Sequence, residues 1–132
     1  AKTVSVADAA VLELDFAAGI NAVKEFIDAV NLYVTNEEPW KVAKSDDAES
    51  VSRLHTILYT IADCLRAIAV LYHPVMPKAT EELWSQLGAA ASLGELSTQK
   101  VQESGSWRVL PVGCVVTKGE GLFPRLAEEV PA

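Results

Sequence analysis

The sequence is short of positive charge, since 11 lysines and arginines face 18 aspartates and glutamates and leave a formal net charge of −7. A protein that binds nucleic acid through its overall electrostatic field usually has a basic face. This balance excludes a general, charge-driven nucleic-acid binder. Any contact with RNA must therefore be local and use a few side chains at one place.

Cysteine is also scarce. Cys64 and Cys114 are the two cysteines, and neither belongs to a CxxC pair or a Cys/His cluster. A structural zinc site is therefore not expected. Cys64 lies in an apolar helical pattern, which predicts a buried free thiol. Two unpaired thiols fit a reducing, cytoplasmic compartment.

The motifs of the common enzyme classes are missing. The sequence has no phosphate-binding loop, no dinucleotide-binding glycine pattern, no GxSxG and no HExxH. His55 and His73 have no serine or cysteine at a motif spacing, so we interpret them as a helix-edge and a helix-end residue. The acidic pairs lie near predicted helix boundaries and are interpreted as solvated surface. We therefore expect no catalytic residue, no metal ligand and no cofactor bound by this chain.

Long apolar runs are absent too. No uninterrupted stretch reaches the roughly 18 residues needed to span a membrane, and no charged-then-apolar leader opens the chain. We therefore expect no membrane association. The chain begins without methionine, which suggests a piece of a longer or processed protein.

What the sequence does contain is enough apolar material for one helical domain, because half of its 132 residues are hydrophobic. Apolar residues recur at steps of three and four along two long segments, which predicts helices over about 16–35 and 47–72. Asp15 is the expected N-cap of the first helix, and Asp46 with Glu49 resembles a capping box before the second. A third helix is expected to begin at Pro77 and to end at Gly88.

The remaining segments are less regular. Residues 1–14 are expected to be an ordered or partly helical lead-in to a bundle core over 15–88. Residues 89–106 show no sustained period and predict a loop with at most one short turn. Residues 107–132 resemble an irregular strap laid over the bundle. The predicted fold is thus all-α: an antiparallel helical bundle with an irregular C-terminal strap.

One short segment stands out from this background. Glu38-Pro39-Trp40 places a tryptophan directly after a proline that must end a helix. The ring could plug the open end of the bundle, or it could be an exposed platform on which an unpaired base stacks. Single-stranded RNA loops are commonly recognised in this second way.

Polar side chains near Trp40 in sequence would complete such a platform. Asn31 carries both a donor and an acceptor for a base edge, although its amide could instead tie the helix end to the turn. Lys41 and Lys44 could contact phosphates without reading sequence, and Arg53 is also near. The candidate site is therefore Trp40, Pro39, Asn31, Lys41 and Lys44.

Three segments together resemble the C-terminal anticodon-binding domain of methionyl-tRNA synthetases. They are Asn31–Val34 with the Pro39-Trp40 turn through Lys44, the Leu71–Thr80 junction with its two prolines, and the tail Leu122-Phe123-Pro124-Arg125. The resemblance covers about residues 16–126. The first two motifs are shared loosely with other class I synthetases, whereas the tail favours the methionyl branch.

The resemblance implies a role in recognising the anticodon of a methionine-accepting tRNA, with Trp40 packing on an anticodon base and Pro39 setting the turn. The catalytic domain of the same protein would charge the tRNA, and ATP and magnesium would be bound there. The alternatives are the anticodon domain of another class I synthetase, such as the cysteinyl, leucyl or valyl enzyme, and a helical protein–protein interaction module.

One departure from the family's pattern has consequences. In that family an Asn-x-x-x-Arg segment on a helix that opens the domain also contributes to the anticodon site, and no such segment precedes Leu14. We therefore expect the chain alone to bind tRNA weakly. We also expect it to expose an apolar groove where that helix would dock, through which it could self-associate.

Overall fold

The structure is a computed structural model that describes residues 1–125, and these residues form helices, turns and loops without a strand. The predicted all-α fold is confirmed. In chain order the helices are α1 (Lys2–Leu12), α2 (Phe16–Glu37), α3 (Pro39–Val42), α4 (Ala48–Tyr72), α5 (Pro77–Gln86), α6 (Ala90–Leu93) and α7 (Val101–Ser104), with a 3-10 turn at Leu96–Thr98.

The two long helices run antiparallel. At one end the Tyr72 hydroxyl of α4 donates to the Ile20 carbonyl at the start of α2, with 3.2 Å between the oxygens. At the other end Arg53, near the start of α4, contacts Glu37, the last residue of α2. These two contacts fix the direction of α4 relative to α2.

Helix α1 packs on the first turns of α2, so the lead-in predicted for 1–14 is largely helical. Asp15 is the N-cap of α2 as predicted, and its carboxylate accepts from the Ala18 amide at 3.0 Å. Gly19 is buried, and a Cβ built there would lie 3.7 Å from the Ala7 carbonyl oxygen. This is an ordinary van der Waals distance, so a Cβ would fit at Gly19 and the packing of α1 on α2 does not require glycine there.

The predicted cap of α4 is wrong by one residue. Asp47, and not Asp46, is the N-cap, with extended backbone angles and a carboxylate that accepts from the Ser50 amide at 2.9 Å. Helix α4 begins at Ala48, so only the residue immediately before it can reach the free amides of the first turn.

Two hydrophobic clusters meet on opposite sides of α4. The first joins α1, α2 and α4 and contains Val4, Ala7, Ala22, Val23, Val30, Ile68, Leu71 and Tyr72. The second joins α4 and α5 to the segments that follow and contains Ala69, Val70, Trp84, Leu87, Ala89, Leu96 and Leu110. Helix α4 is thus the central helix of the domain.

The segment 89–106 is more structured than the loop predicted for it, since α6, the 3-10 turn and α7 all lie there. Trp84 explains part of this order, because its ring is buried and its Nε1–H donates to the Gly94 carbonyl at 2.9 Å. Each short helix has only four residues and lacks the repeated apolar spacing that would predict it.

The strap lies on the bundle, as the sequence predicts. Gly88, which ends the α5 region with a φ of +67°, has no room for a side chain because the Val115 carbonyl oxygen would lie 2.5 Å from a Cβ. Nearer its start, at Arg108, the strap is bound to α4 through Asp63, which forms a buried ion pair with Arg66. Of the strap's predicted range, residues 126–132 lie outside the described residues.

By length and composition alone, α4 is apolar enough to cross a membrane. The central helix of a packed bundle meets the same two criteria. Here α4 carries a buried Asp63–Arg66 pair and contacts α2, α5 and α7, so its apolar surface is used in packing.

Candidate functional site

The candidate site is built on the junction between α2 and α3. Helix α2 ends at Glu37, and Glu38 then adopts a left-handed conformation with φ +44° and ψ +56°. The Glu38 amide still donates to the Val34 carbonyl at 3.1 Å. Pro39 follows at the first position of α3, where its missing N–H leaves no bond unmade. The left-handed conformation of Glu38 therefore separates α2 from α3.

Local backbone hydrogen bonds close the single turn of α3. The Glu38 carbonyl accepts from the amides of Lys41 at 2.7 Å and Val42 at 3.3 Å, and the Ala43 amide donates to the Pro39 carbonyl at 2.9 Å. Trp40 lies inside this ring of bonds. These bonds define the local backbone conformation from which the Trp40 side chain projects.

The indole of Trp40 is open to water. Its exposed fraction is 53%, whereas Trp84 in the core is 2% exposed. Among residues 1–125 the aromatic pair is Tyr59 with Trp107, so no neighbouring ring covers Trp40. A ring that plugged the end of the bundle would be sealed against apolar neighbours. The half-exposed indole instead fits a platform.

Asn31 lies on the same helix as the turn but farther back. It is exposed, and it precedes Glu37 by six residues, or roughly 9 Å along the helix axis. The backbone carbonyl of Asn31 accepts a hydrogen bond from the Thr35 hydroxyl at 3.0 Å. Within residues 1–125 the Asn31 side-chain amide makes no hydrogen bond to the Pro39–Trp40 turn. The structure therefore does not support the alternative in which Asn31 connects the end of α2 to that turn.

Two of the three cations near Trp40 in sequence are paired with carboxylates. Lys41 Nζ lies 2.7 Å from Glu38 Oε1, and Arg53 Nη2 lies 3.0 Å from Glu37 Oε2. Lys44 is exposed and, among the described residues, has no ion-pair partner. The site therefore combines an open aromatic face with nearly balanced charge.

A second exposed indole, Trp107, lies on the strap, and no sequence pattern predicts its contact with Tyr59. Trp107 is 56% exposed, and Tyr59 meets its ring edge-on with centroids 6.2 Å apart and planes at 85°. The pKa of the Tyr59 hydroxyl is raised mainly by burial and to a smaller extent by the nearby Asp63 carboxylate. That hydroxyl donates to the Leu110 carbonyl at 2.6 Å, so the contact helps to hold the strap.

The histidines and cysteines take structural positions. His73 follows α4, and its Nδ1 lies 3.1 Å from the Thr80 hydroxyl of α5. His55 is exposed on α4. Cys64 is half-buried and not fully buried as predicted, and burial is the main cause that raises the pKa of its thiol. Residues 1–125 contain no group of three or more histidine, cysteine, aspartate or glutamate side chains able to hold a metal ion.

An apolar groove opens where α1, α2 and the end of α4 meet. Its volume is about 360 Å³, and Phe16 and Val75 on its rim are each at least half exposed. It lies beside the first turn of α2, at the opposite end of that helix from Trp40. The groove is lined by Ala7, Asp8, Val11, Phe16, Gly19, Ile20, Leu71, Tyr72, Pro74, Val75 and Val101.

Comparison with known proteins agrees with this architecture. The model of the family described as "Anticodon-binding domain of tRNA ligase" matches residues 1–109, which include α1 and the whole of the candidate site. The chain therefore belongs to the family of anticodon-binding domains of tRNA ligases.

Its relatives within that family are methionine–tRNA ligases. The protein of that name from Streptomyces coelicolor is 57% identical over 120 residues, which cover 91% of this chain and 22% of that protein. The one from Halalkalibacterium halodurans is 32% identical over 127 residues, covering 96% of this chain and 18% of that protein. This chain is an anticodon-binding domain of the methionyl-tRNA synthetase family, and it spans about a fifth of the length of these relatives.

Proposed function

We propose that this chain recognises the anticodon loop of a methionine-accepting tRNA, and so supports charging of that tRNA by a catalytic domain elsewhere in the same protein. The observation that carries the proposal is the half-exposed indole of Trp40, presented on a hydrogen-bonded turn. Its place in an anticodon-binding family supplies the ligand class.

Recognition begins with stacking. An anticodon base that leaves the loop places its flat face on the Trp40 indole, an interaction worth about 1–3 kcal/mol. Pro39 fixes the turn and therefore the position of the ring, so little ordering is required on binding. Asn31 is the residue proposed to reach a base edge.

Phosphate contacts play a smaller part. Lys44 is available to a phosphate as the structure stands, whereas Lys41 must first leave Glu38. Such contacts position the RNA without reading its sequence. Because the protein as a whole is acidic, the bound loop is selected by the fit of one or two bases and not by a broad electrostatic field.

The chemistry of charging lies outside this chain. ATP and magnesium are proposed to bind in the catalytic domain, where methionine is activated, and the reaction is proposed to take place in the cytoplasm. This domain contributes binding energy that places the acceptor end of the tRNA in that distant active site.

A Trp40→Ala change in the full-length protein that carries this chain tests the proposal. Charging of tRNA should fall by about 5- to 150-fold, the rate equivalent of the stacking energy, while methionine activation measured without tRNA stays unchanged. Trp107→Ala is the matched control, because that indole is equally exposed and lies on the strap.

Two results would count against the proposal. Equal loss of charging in the two variants would remove the special role of Trp40. The other result is loss of both charging and folding in Trp40→Ala, with folding monitored by thermal unfolding. That result would show that the Trp40 ring has a structural role at the end of the bundle.

We further propose that the groove at Phe16 and Val75 contacts the rest of the parent protein. The support is its apolar lining, together with the small share of the relatives that this chain spans. Exposed apolar patches of this kind favour association. In the isolated chain a second copy is the expected occupant.

A further inference from the structure

Glu37 and Glu38, the two residues before Pro39, form ion pairs with Arg53 and Lys41. Glu37 binds Arg53 at 3.0 Å, and Glu38 binds Lys41 at 2.7 Å. Both carboxylates belong to the residues immediately before Pro39, so the turn that presents the indole also presents these two pairs. The pairs are therefore part of the same surface as the proposed stacking platform.

These pairs are easily exchanged. The side chains of Arg53 and Lys41 are 59% and 63% exposed, and the carboxylates are 30% and 40% exposed. Exposed ion pairs contribute little to folding, typically less than about 1 kcal/mol. A phosphate could therefore take the place of either carboxylate without disturbing the turn.

Replacing a carboxylate by a phosphate on Arg53 or Lys41 reduces the free energy of RNA binding but not the stability of the fold. When a phosphate takes Arg53 or Lys41, the displaced carboxylate stays tethered within a few ångströms and repels it. The free energy gained from each phosphate is thereby reduced. Since phosphate contacts are the same for every sequence, this reduction lowers the affinity for all RNA loops by the same factor.

We propose that Glu37 and Glu38 are affinity-limiting residues of the tRNA site. They hold Arg53 and Lys41, so that the phosphate attraction common to every loop stays too weak to retain a loop that does not also stack on Trp40. This inference rests on the proposed function. It extends that function by assigning a role to two acidic residues that lie beside an RNA site and would otherwise be expected to oppose binding.

The test is the double change Glu37→Gln with Glu38→Gln in the full-length protein, probed with two anticodon stem-loops. One carries the methionine anticodon, and the other carries an unrelated anticodon on the same stem. At about 50 mM salt both loops should bind the double variant more tightly than the unchanged protein by a similar factor, up to about tenfold. The slope of log K against log salt should steepen by about 0.7 for each cation released.

A matched control separates local from overall charge. Glu13 and Glu25 are exposed carboxylates on the α1–α2 side of the bundle, and Glu25 lies twelve residues, or roughly 18 Å, before Glu37 on α2. Changing both to Gln removes the same two charges. This control should leave the affinity for the unrelated loop within about twofold, because salt screens charges at that distance.

Adding Arg53→Gln to the double change should cancel about half of the gain in binding free energy, since Arg53 is one of the two released cations. The inference is overturned if the double change alters binding no more than the Glu13 and Glu25 control does. It is also overturned if Arg53→Gln leaves the gain intact. If the proposed function holds, Trp40→Ala still weakens binding of the methionine loop in both cases. Failure of this inference can therefore be distinguished from failure of the proposed function.

Discussion

Asp63 and Arg66, one turn apart on α4, form a buried ion pair with 2.7 Å between Oδ1 and Nε. Each partner also binds backbone groups at the end of α7 or in the chain that follows it. The Asp63 carboxylate accepts from the amides of Arg108 and Leu110, and the Arg66 guanidinium donates to the carbonyls of Ser104 and Ser106. Through these hydrogen bonds the Asp63–Arg66 pair anchors the start of the strap to the central helix α4.

Changing Asp63 to Asn should destabilise the domain by about 3 kcal/mol. The change keeps the side-chain volume but leaves the buried Arg66 without its countercharge, and it turns an NH₂ group toward backbone amides. Urea unfolding followed by circular dichroism measures the loss. Asp28→Asn is the control, because it breaks an exposed pair with Lys24 and should change stability little. Equal losses in the two variants would contradict the anchoring role.

Asp47→Ala should lower the melting temperature, whereas Asp46→Ala should not, since only Asp47 caps α4. Hydrogen bonds from Ser50 lower the pKa of the Asp47 carboxyl below its ordinary value of 3.8. Its contribution is therefore complete well above pH 3.8 and is lost as the pH falls through the lowered pKa. Thermal scans at several pH values should show the gap between the unchanged chain and Asp47→Ala closing below pH 4. A gap that stays constant down to pH 2 would rule out the capping bond as its source.

Replacing Arg108 with Gly should stabilise the domain by about 0.5–1 kcal/mol. Arg108 has a φ of +62°, a conformation that costs a residue with a Cβ more than it costs glycine. Val112→Gly is the control, because Val112 is exposed and does not share this positive φ. The same urea titration compares them, and a loss of stability in Arg108→Gly would show that the side chain contributes more than the strain costs.

Phe16→Ser should reduce self-association of the isolated chain. The residue lies on the rim of the groove, and its ring is 58% exposed. Sedimentation equilibrium from about 5 to 500 µM should show a dimer forming in the unchanged chain and a weaker one in the variant. Phe123→Ser removes an equally exposed ring from the strap and should not matter. A strict monomer for the unchanged chain over this range would show that the groove does not drive association.

The helices could be predicted because their apolar residues repeat at steps of three and four. The prediction of 16–35 and 47–72 compares with Phe16–Glu37 and Ala48–Tyr72 in the structure. The turn at Pro39 was equally visible, since proline forces a helix to end. These features depend on neighbours in sequence, which a single chain displays directly.

The features that were missed depend on contacts between distant segments. The order in 89–106 arises from bonds such as that of Trp84 to Gly94, and the anchoring of the strap joins residues more than 40 positions apart. For the site, spacing put Trp40 on a turn but could not give its exposure. Spacing also did not show that Lys41 and Arg53 are paired with the two glutamates before Pro39.

The central claim is that the open face of the Trp40 indole binds an unpaired anticodon base. Its most direct test is the dissociation constant of a methionine anticodon stem-loop, measured for the full-length protein with Trp40, with Trp40→Phe and with Trp40→Ala. The account predicts a loss of about 5- to 150-fold for alanine and a smaller loss for phenylalanine, which keeps an aromatic face. Unchanged affinity in the alanine variant, with its fold intact by circular dichroism, would contradict the account.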